Sequence, residues 1–206
     1  MRISGSKPSI VAIVALLAVA AIVTLLSPSE RVLGDAVKVV YVHGAMIWIS
    51  LMLFAITGGL AATQLIRESG SRDSYLLAFE ETATGFWFVS TVLGFLASYI
   101  TWGGIIWAEP RIWMTIVIAA LAGSIYYVSR LNRNLVLNRV LAVFLALTAG
   151  GLLINAGRIF HPENPIFQSE PIIQLAFATL AVIFFTTALL IVKVLSKPKQ
   201  FTWLTQ

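Results

Sequence analysis

The sequence predicts an all-α polytopic membrane protein with six transmembrane helices and both termini in the cytoplasm. Three observations carry this reading. Of the 206 residues, 59% are hydrophobic and only 11% charged, whereas soluble domains carry about a quarter charged residues. Six apolar segments approach or exceed the ~20 helical residues that a hydrocarbon core requires. The lysines and arginines fall unevenly between the two sets of connections. Backbone polar groups must be satisfied within each segment in lipid, so the segments are read as helices.

The first span, 9–27, follows Arg2 and Lys7. A signal peptide opens in the same way, but this run is long for its apolar region and has no A-x-A site before Ser27, so a retained helix is expected. The second span, 37–65, is longer than a bilayer needs and is expected to tilt or to project from it. Spans three to six follow at 84–101, 112–128, 140–156 and 172–195, forming one domain over 1–206. Between spans two and three, 67–81 is read as a polar loop or short surface helix. The basic connection 130–139 is expected to meet anionic headgroups or a partner. In the tail 197–206, Trp203 is a candidate interface anchor.

With the N-terminus inside, ten lysines and arginines fall on the cytoplasmic side and four on the other: Arg31, Lys38, Arg111 and Arg158. That is the positive-inside pattern of a multi-pass protein of the cell membrane. The net charge of +5 is therefore read through loop positions and not as a sign of nucleic-acid binding. The absence of cysteine excludes disulfides, thiolate metal sites and covalently attached c-type haem in this chain. No G-x-x-x-x-G-K-[ST] loop is present, so any ATP would be bound by another chain.

The extracytoplasmic connections hold the chemistry. The stretch from Tyr99 to Trp113 contains three of the six tryptophans, the Gly103-Gly104 turn, Glu109 and Arg111. Both histidines, His43 and His161, are expected on the same side, in the first and third outer regions. Two imidazoles without cysteine or a carboxylate cluster make a poor zinc site, but they suffice for the two axial positions of a haem. Trp102, Trp107 and Trp113 would offer a flat apolar surface. Arg111, just after Pro110 at a helix start, would meet a propionate together with that helix's N–H groups. Arg158 is a second candidate cation. Taken singly, the tryptophans also read as an aromatic belt, the histidines as headgroup or loop residues, and Glu109 and Arg111 as solvated or mutually paired.

Three pieces of the chain together resemble a known family. Val39 to Trp48 (VVYVHGAMIW) is similar to the segment around the first haem-ligating histidine of the haem-handling membrane proteins of cytochrome c assembly, in particular protein C of the cytochrome c maturation system. Trp102 to Arg111 (WGGIIWAEPR) resembles that family's W-G-T-W-W-V-W-D-x-R motif. His161 precedes the last span, where the family has its second ligand. Trp102, Gly103 and Arg111 match the motif directly. Glu109 stands where the family has Asp, and Ile105, Ile106 and Ala108 replace three tryptophans, while Trp107 falls at a smaller residue.

The resemblance implies a non-enzymatic protein that binds haem b non-covalently at the outer surface and presents it to a haem chaperone. His43 and His161 would ligate the iron, and Trp102, Gly103, Trp107, Glu109 and Arg111 would complete the site. It also implies a second membrane subunit and an ATP-hydrolysing subunit as partners. Two other classes remain open. A b-type cytochrome would hold its haem permanently between helices, and a cofactor-free structural or transport subunit would need neither histidine.

Overall fold

The computed structural model describes residues 7–67, 73–132, 134–161, 166 and 168–196. They form six helices: α1 (Lys7–Leu26), α2 (Val37–Arg67), α3 (Asp73–Trp102), α4 (Pro110–Leu131), α5 (Leu135–Asn155) and α6 (Pro171–Leu195). All six are long and apolar enough to cross a membrane, as expected of a multi-pass membrane protein. Arg2, Arg72 and the tail with Trp203 lie outside the described residues.

The spans fall where the apolar runs place them, with two corrections. Residues from Asp73 to Glu81 are not a loop or a separate surface helix. They are the opening turns of a continuous 30-residue α3, because Leu76 and Ala78 give this polar stretch a buried face. The connection at 130–139 is also shorter than its basic composition suggested, since α4 runs to Leu131 and α5 starts at Leu135. Arg130 pairs with Glu81. Arg139 is buried and donates to the Gln64 backbone carbonyl, so neither arginine is simply spread on headgroups.

The helices pack around α2, which touches α1, α3, α5 and α6. Its buried stripe includes Tyr41, Ala45, Ile49, Leu53 and Phe54. That is the three-and-four spacing of one helix face. Small residues let backbones approach: a Cβ on Gly58 would stand 2.5 Å from that of Ala146, so only glycine fits where α2 crosses α5. Trp87 is wholly buried in α3, tilted against Phe54 and donating its indole N–H to Thr115 O on α4 at 3.0 Å. By contrast, α1 buries only Ser9 and Ala20 and lies mainly along α6.

The connections 1–2, 3–4 and 5–6 meet at one end of the bundle. Tyr41 Oη donates to Pro28 O, Arg31 approaches Glu170, and Trp102 touches Phe160 and His161. The Arg130–Glu81 and Arg139–Gln64 contacts mark the opposite end.

Candidate functional site

The loop between α3 and α4 is set by its own backbone chemistry. Gly103 takes φ 75°, a conformation cheap only for glycine, and so ends α3. Ser98 Oγ donates to Gly104 O at 2.7 Å, and Glu109 N–H closes the turn onto Ile106 O at 2.9 Å. Pro110 then starts α4 with Glu109 as its N-cap. Proline suits that position because its missing N–H would have no helical partner.

Glu109 is fully buried and does more than cap α4. Its Oε2 accepts the backbone N–H groups of Ile159 and Phe160 at 3.0 and 2.7 Å. Oε1 faces Arg111 N and His161 Nδ1, each at 3.4 Å. The connection after α5 is thereby held to the start of α4. Burial acts to raise the Glu109 pKa, but the N–H groups of Phe160, Ile159 and Arg111, with His161, outweigh it and hold the carboxyl below its ordinary value.

His161 sits beside this carboxylate with the Trp102 indole edge-on to its ring at 5.1 Å. Burial is the main influence on it and lowers its pKa; Glu109 pulls the other way and Arg111 reinforces the lowering. The imidazole is thus favoured in the neutral form a metal requires. Arg111 lies within the field of both His161 and Arg158, and its Nε is buried without a hydrogen-bond partner among the described residues. Two guanidinium groups near one another, one with a sealed unused donor, favour an anion between them.

His43 lies in the second turn of α2, facing α3. Its Nδ1 lies 2.8 Å from Ser90 O. Its ring rests on Gly94, where a Cβ would come within 2.7 Å of Cε1. His43 and His161 are close enough to sense each other's charge. The two rings differ at Nδ1: that of His43 is hydrogen-bonded to the Ser90 carbonyl, whereas that of His161 lies 3.4 Å from Glu109 Oε1 without forming a hydrogen bond, and neither Nε2 has a hydrogen-bond partner among the described residues. Neither Nε2 is sealed from solvent. The Ser90 acceptor behind His43 Nδ1 fixes the tautomer that leaves its Nε2 as a ligand.

Sequence reading named His43, His161, Trp102, Gly103, Glu109 and Arg111, and all but His43 gather around the α3–α4 turn. Trp107 does not join them by ring contact. It is exposed and packs on Trp113, whose indole N–H donates to Trp107 O at 2.8 Å. Pro162, Glu163, Asn164 and Pro165 lie outside the described residues. Three contributors were missed. Ser90 and Gly94 are spaced i, i+4 on α3, a legible helix-face pair, but nothing in sequence assigned that face to His43. Phe160 stacks at 5.8 Å on Trp102 and drew notice only as part of its loop.

As a donor set, two neutral imidazoles with open Nε2 atoms, an indole and an unused guanidinium Nε fit the needs of a haem better than those of a bare ion. Among the described residues no group of three or more His, Cys, Asp or Glu side chains could hold a metal. No family model matches the sequence, and neither does any curated protein.

Proposed function

We propose that this chain is a haem-handling membrane protein that binds haem b as cargo and presents it to an acceptor in cytochrome c assembly. The observation that carries the reading is the pair of histidines at one end of the bundle, His43 with Nδ1 bonded to the Ser90 carbonyl and His161 beside the Glu109 carboxylate, each with an Nε2 that has no hydrogen-bond partner among the described residues. Bound haem would bring iron with two free axial positions and two propionates. His43 and His161 would supply the axial nitrogens. Trp102 would cover an edge, with Gly103 allowing the turn that carries it, and Trp107 would extend the apolar surface. Arg111 would take a propionate, and Glu109 would hold His161 and its loop in register.

The positive-inside distribution supports an extracytoplasmic position for this end of the bundle. A second membrane subunit, an ATP-hydrolysing subunit and a haem chaperone would be the partners. His161 lies on a connection between helices, and a loop can open to release cargo where packed helices cannot. One observation favours a second reading: His43 is held between α2 and α3, as in a b-type cytochrome that keeps its haem.

The test is an optical spectrum of the purified protein, before and after haem addition and after reduction. A low-spin six-coordinate spectrum lost in His43→Ala and in His161→Ala is the expected result. Haem captured from the protein by an apo-acceptor would separate cargo from a resident cofactor; haem retained and reduced by a quinol would favour the cytochrome. No haem uptake under any condition would sink both readings.

A further inference from the structure

On the side of the bundle where α1 leans on α6, α1 hardly touches α3. The gap between them is a groove of ≈ 630 Å³. Its floor is made by Met46 of α2, Phe184 and Thr187 of α6, and Thr82 and Phe86 of α3, all buried. Half-exposed Leu17 and Val89 form its rims. Gly85, Val89 and Leu93 line it at four-residue spacing, so the groove runs along one face of α3. From Glu81 to Leu93 it is about 18 Å long by the helical rise per residue. A Cβ on Gly85 would meet nothing within 4 Å, so the glycine widens the groove and admits no neighbouring helix. Packed interiors do not leave gaps of this size empty.

Size and chemistry narrow the occupant. A helix of this length, 10 Å or more across, would take up roughly 1400 Å³, over twice the space. A quinone headgroup would need hydrogen-bond donors for its carbonyls. The two hydroxyls on the lining, of Thr82 and Thr187, already donate to Ala78 O and Ile183 O of their own helices. Glu81, the one charged group on the described lining, is bound to Arg130. A hydrocarbon chain asks nothing of these groups and fits the rest of the lining, which is apolar. At the Glu81 end the Arg130 side chain stays 37% exposed. A guanidinium has five N–H donors, more than its contacts with Glu81 and Tyr126 engage, so donors remain for a phosphate.

We propose that this groove binds one acyl chain of a membrane phospholipid whose phosphate meets Arg130, at the end away from the histidines. The site rests on the membrane-spanning character of the helices and is independent of the haem reading. The lipid chain fills the space that α1 and α3 leave and joins the first helix to the core.

The experiment uses the full chain in phosphatidylcholine nanodiscs that include a phosphatidylcholine with a diazirine midway along one acyl chain. After illumination, adducts are mapped by mass spectrometry. Buried Phe86 and Phe184 should be labelled several-fold more than Phe144, an exposed phenylalanine on α5. Gly85→Phe, which fills the groove, should lose this excess. Gly59→Phe adds the same ring at an open position outside the groove and should keep it. Native mass spectra of the chain in mild detergent identify the source: one phospholipid should be retained on the unmodified chain, and less of it on Arg130→Gln. Labelling of Phe86 and Phe184 no stronger than that of Phe144 would overturn the proposal, as would an excess that survives Gly85→Phe. A retained prenyl quinone or small protein in place of phospholipid would overturn it too, and equal retention in Arg130→Gln would remove the phosphate contact.

Discussion

The Glu109 carboxylate accepts the Phe160 backbone N–H at 2.7 Å, joining two residues 51 positions apart. Trp102 packs on Phe160, and His161 follows next in the chain. One buried acid therefore sets the position of the histidine loop. Glu109→Ala would leave the N–H groups of Ile159 and Phe160 without their acceptor, at a cost of about 1 kcal/mol for each of these part-buried hydrogen bonds. Faster proteolytic cleavage near 157–161 is the expected outcome, with the helical circular dichroism retained. Glu109→Gln keeps one acceptor oxygen and should show a smaller change.

Gly94 is the seat of the His43 ring. Gly94→Ala would push a methyl to 2.7 Å from Cε1 and cost about 1–3 kcal/mol as overpacking. It should break the Ser90 contact and lower haem uptake. Gly85→Ala, at a position open to a Cβ, is the matched control and should bind haem as the unmodified chain does. Equal titrations for the two variants would remove Gly94 from the site.

Acid should loosen this end of the molecule in two stages. Burial sets the folded pKa of His161 below its ordinary 6.5, so the folded state takes up fewer protons there than the unfolded one. The loop's stability is complete above that value and falls as pH drops below it. Glu109, also lowered from its ordinary 4.5, contributes stability that is present above 4.5 and lost as pH falls through its folded value. His161→Ala should remove the first stage and leave the second, read by pH-dependent unfolding.

The tryptophans should separate sharply. Trp102→Ala removes ring contacts to both Phe160 and His161, each worth about 0.5–1.5 kcal/mol for an aromatic pair, and should weaken haem binding. Trp107→Ala disturbs an exposed pair with Trp113 and should alter it far less. Haem titration of the two variants decides the order; the reverse order would shift the platform to the exposed pair.

The six helices were legible because hydropathy reports directly on lipid. Helix ends were less so: the opening of α3 reads as polar, yet Leu76, Ala78 and Glu80 are buried in it. For the site, the tryptophan stretch and His161 were found from residue type and topology. The anchoring of His43 to Ser90 and Gly94 was not, because a hydropathy pattern does not say which neighbour a helix face meets. Glu109 was seen as a charged loop residue. Its burial depends on N–H groups from a distant segment, which no local pattern encodes.

The loose placement of α1 bears on how the bundle is completed. α1 rests chiefly on α6, more than a hundred residues later in the chain, and only slightly on α2. During synthesis it must wait in the bilayer, largely unpartnered, while α2 to α5 insert and pack. Closure of α1 onto α6 then waits until α2 to α5 are in place, and a chain truncated before Pro171 would lose both the main rest of α1 and the α6 side of the core around α2 and α3.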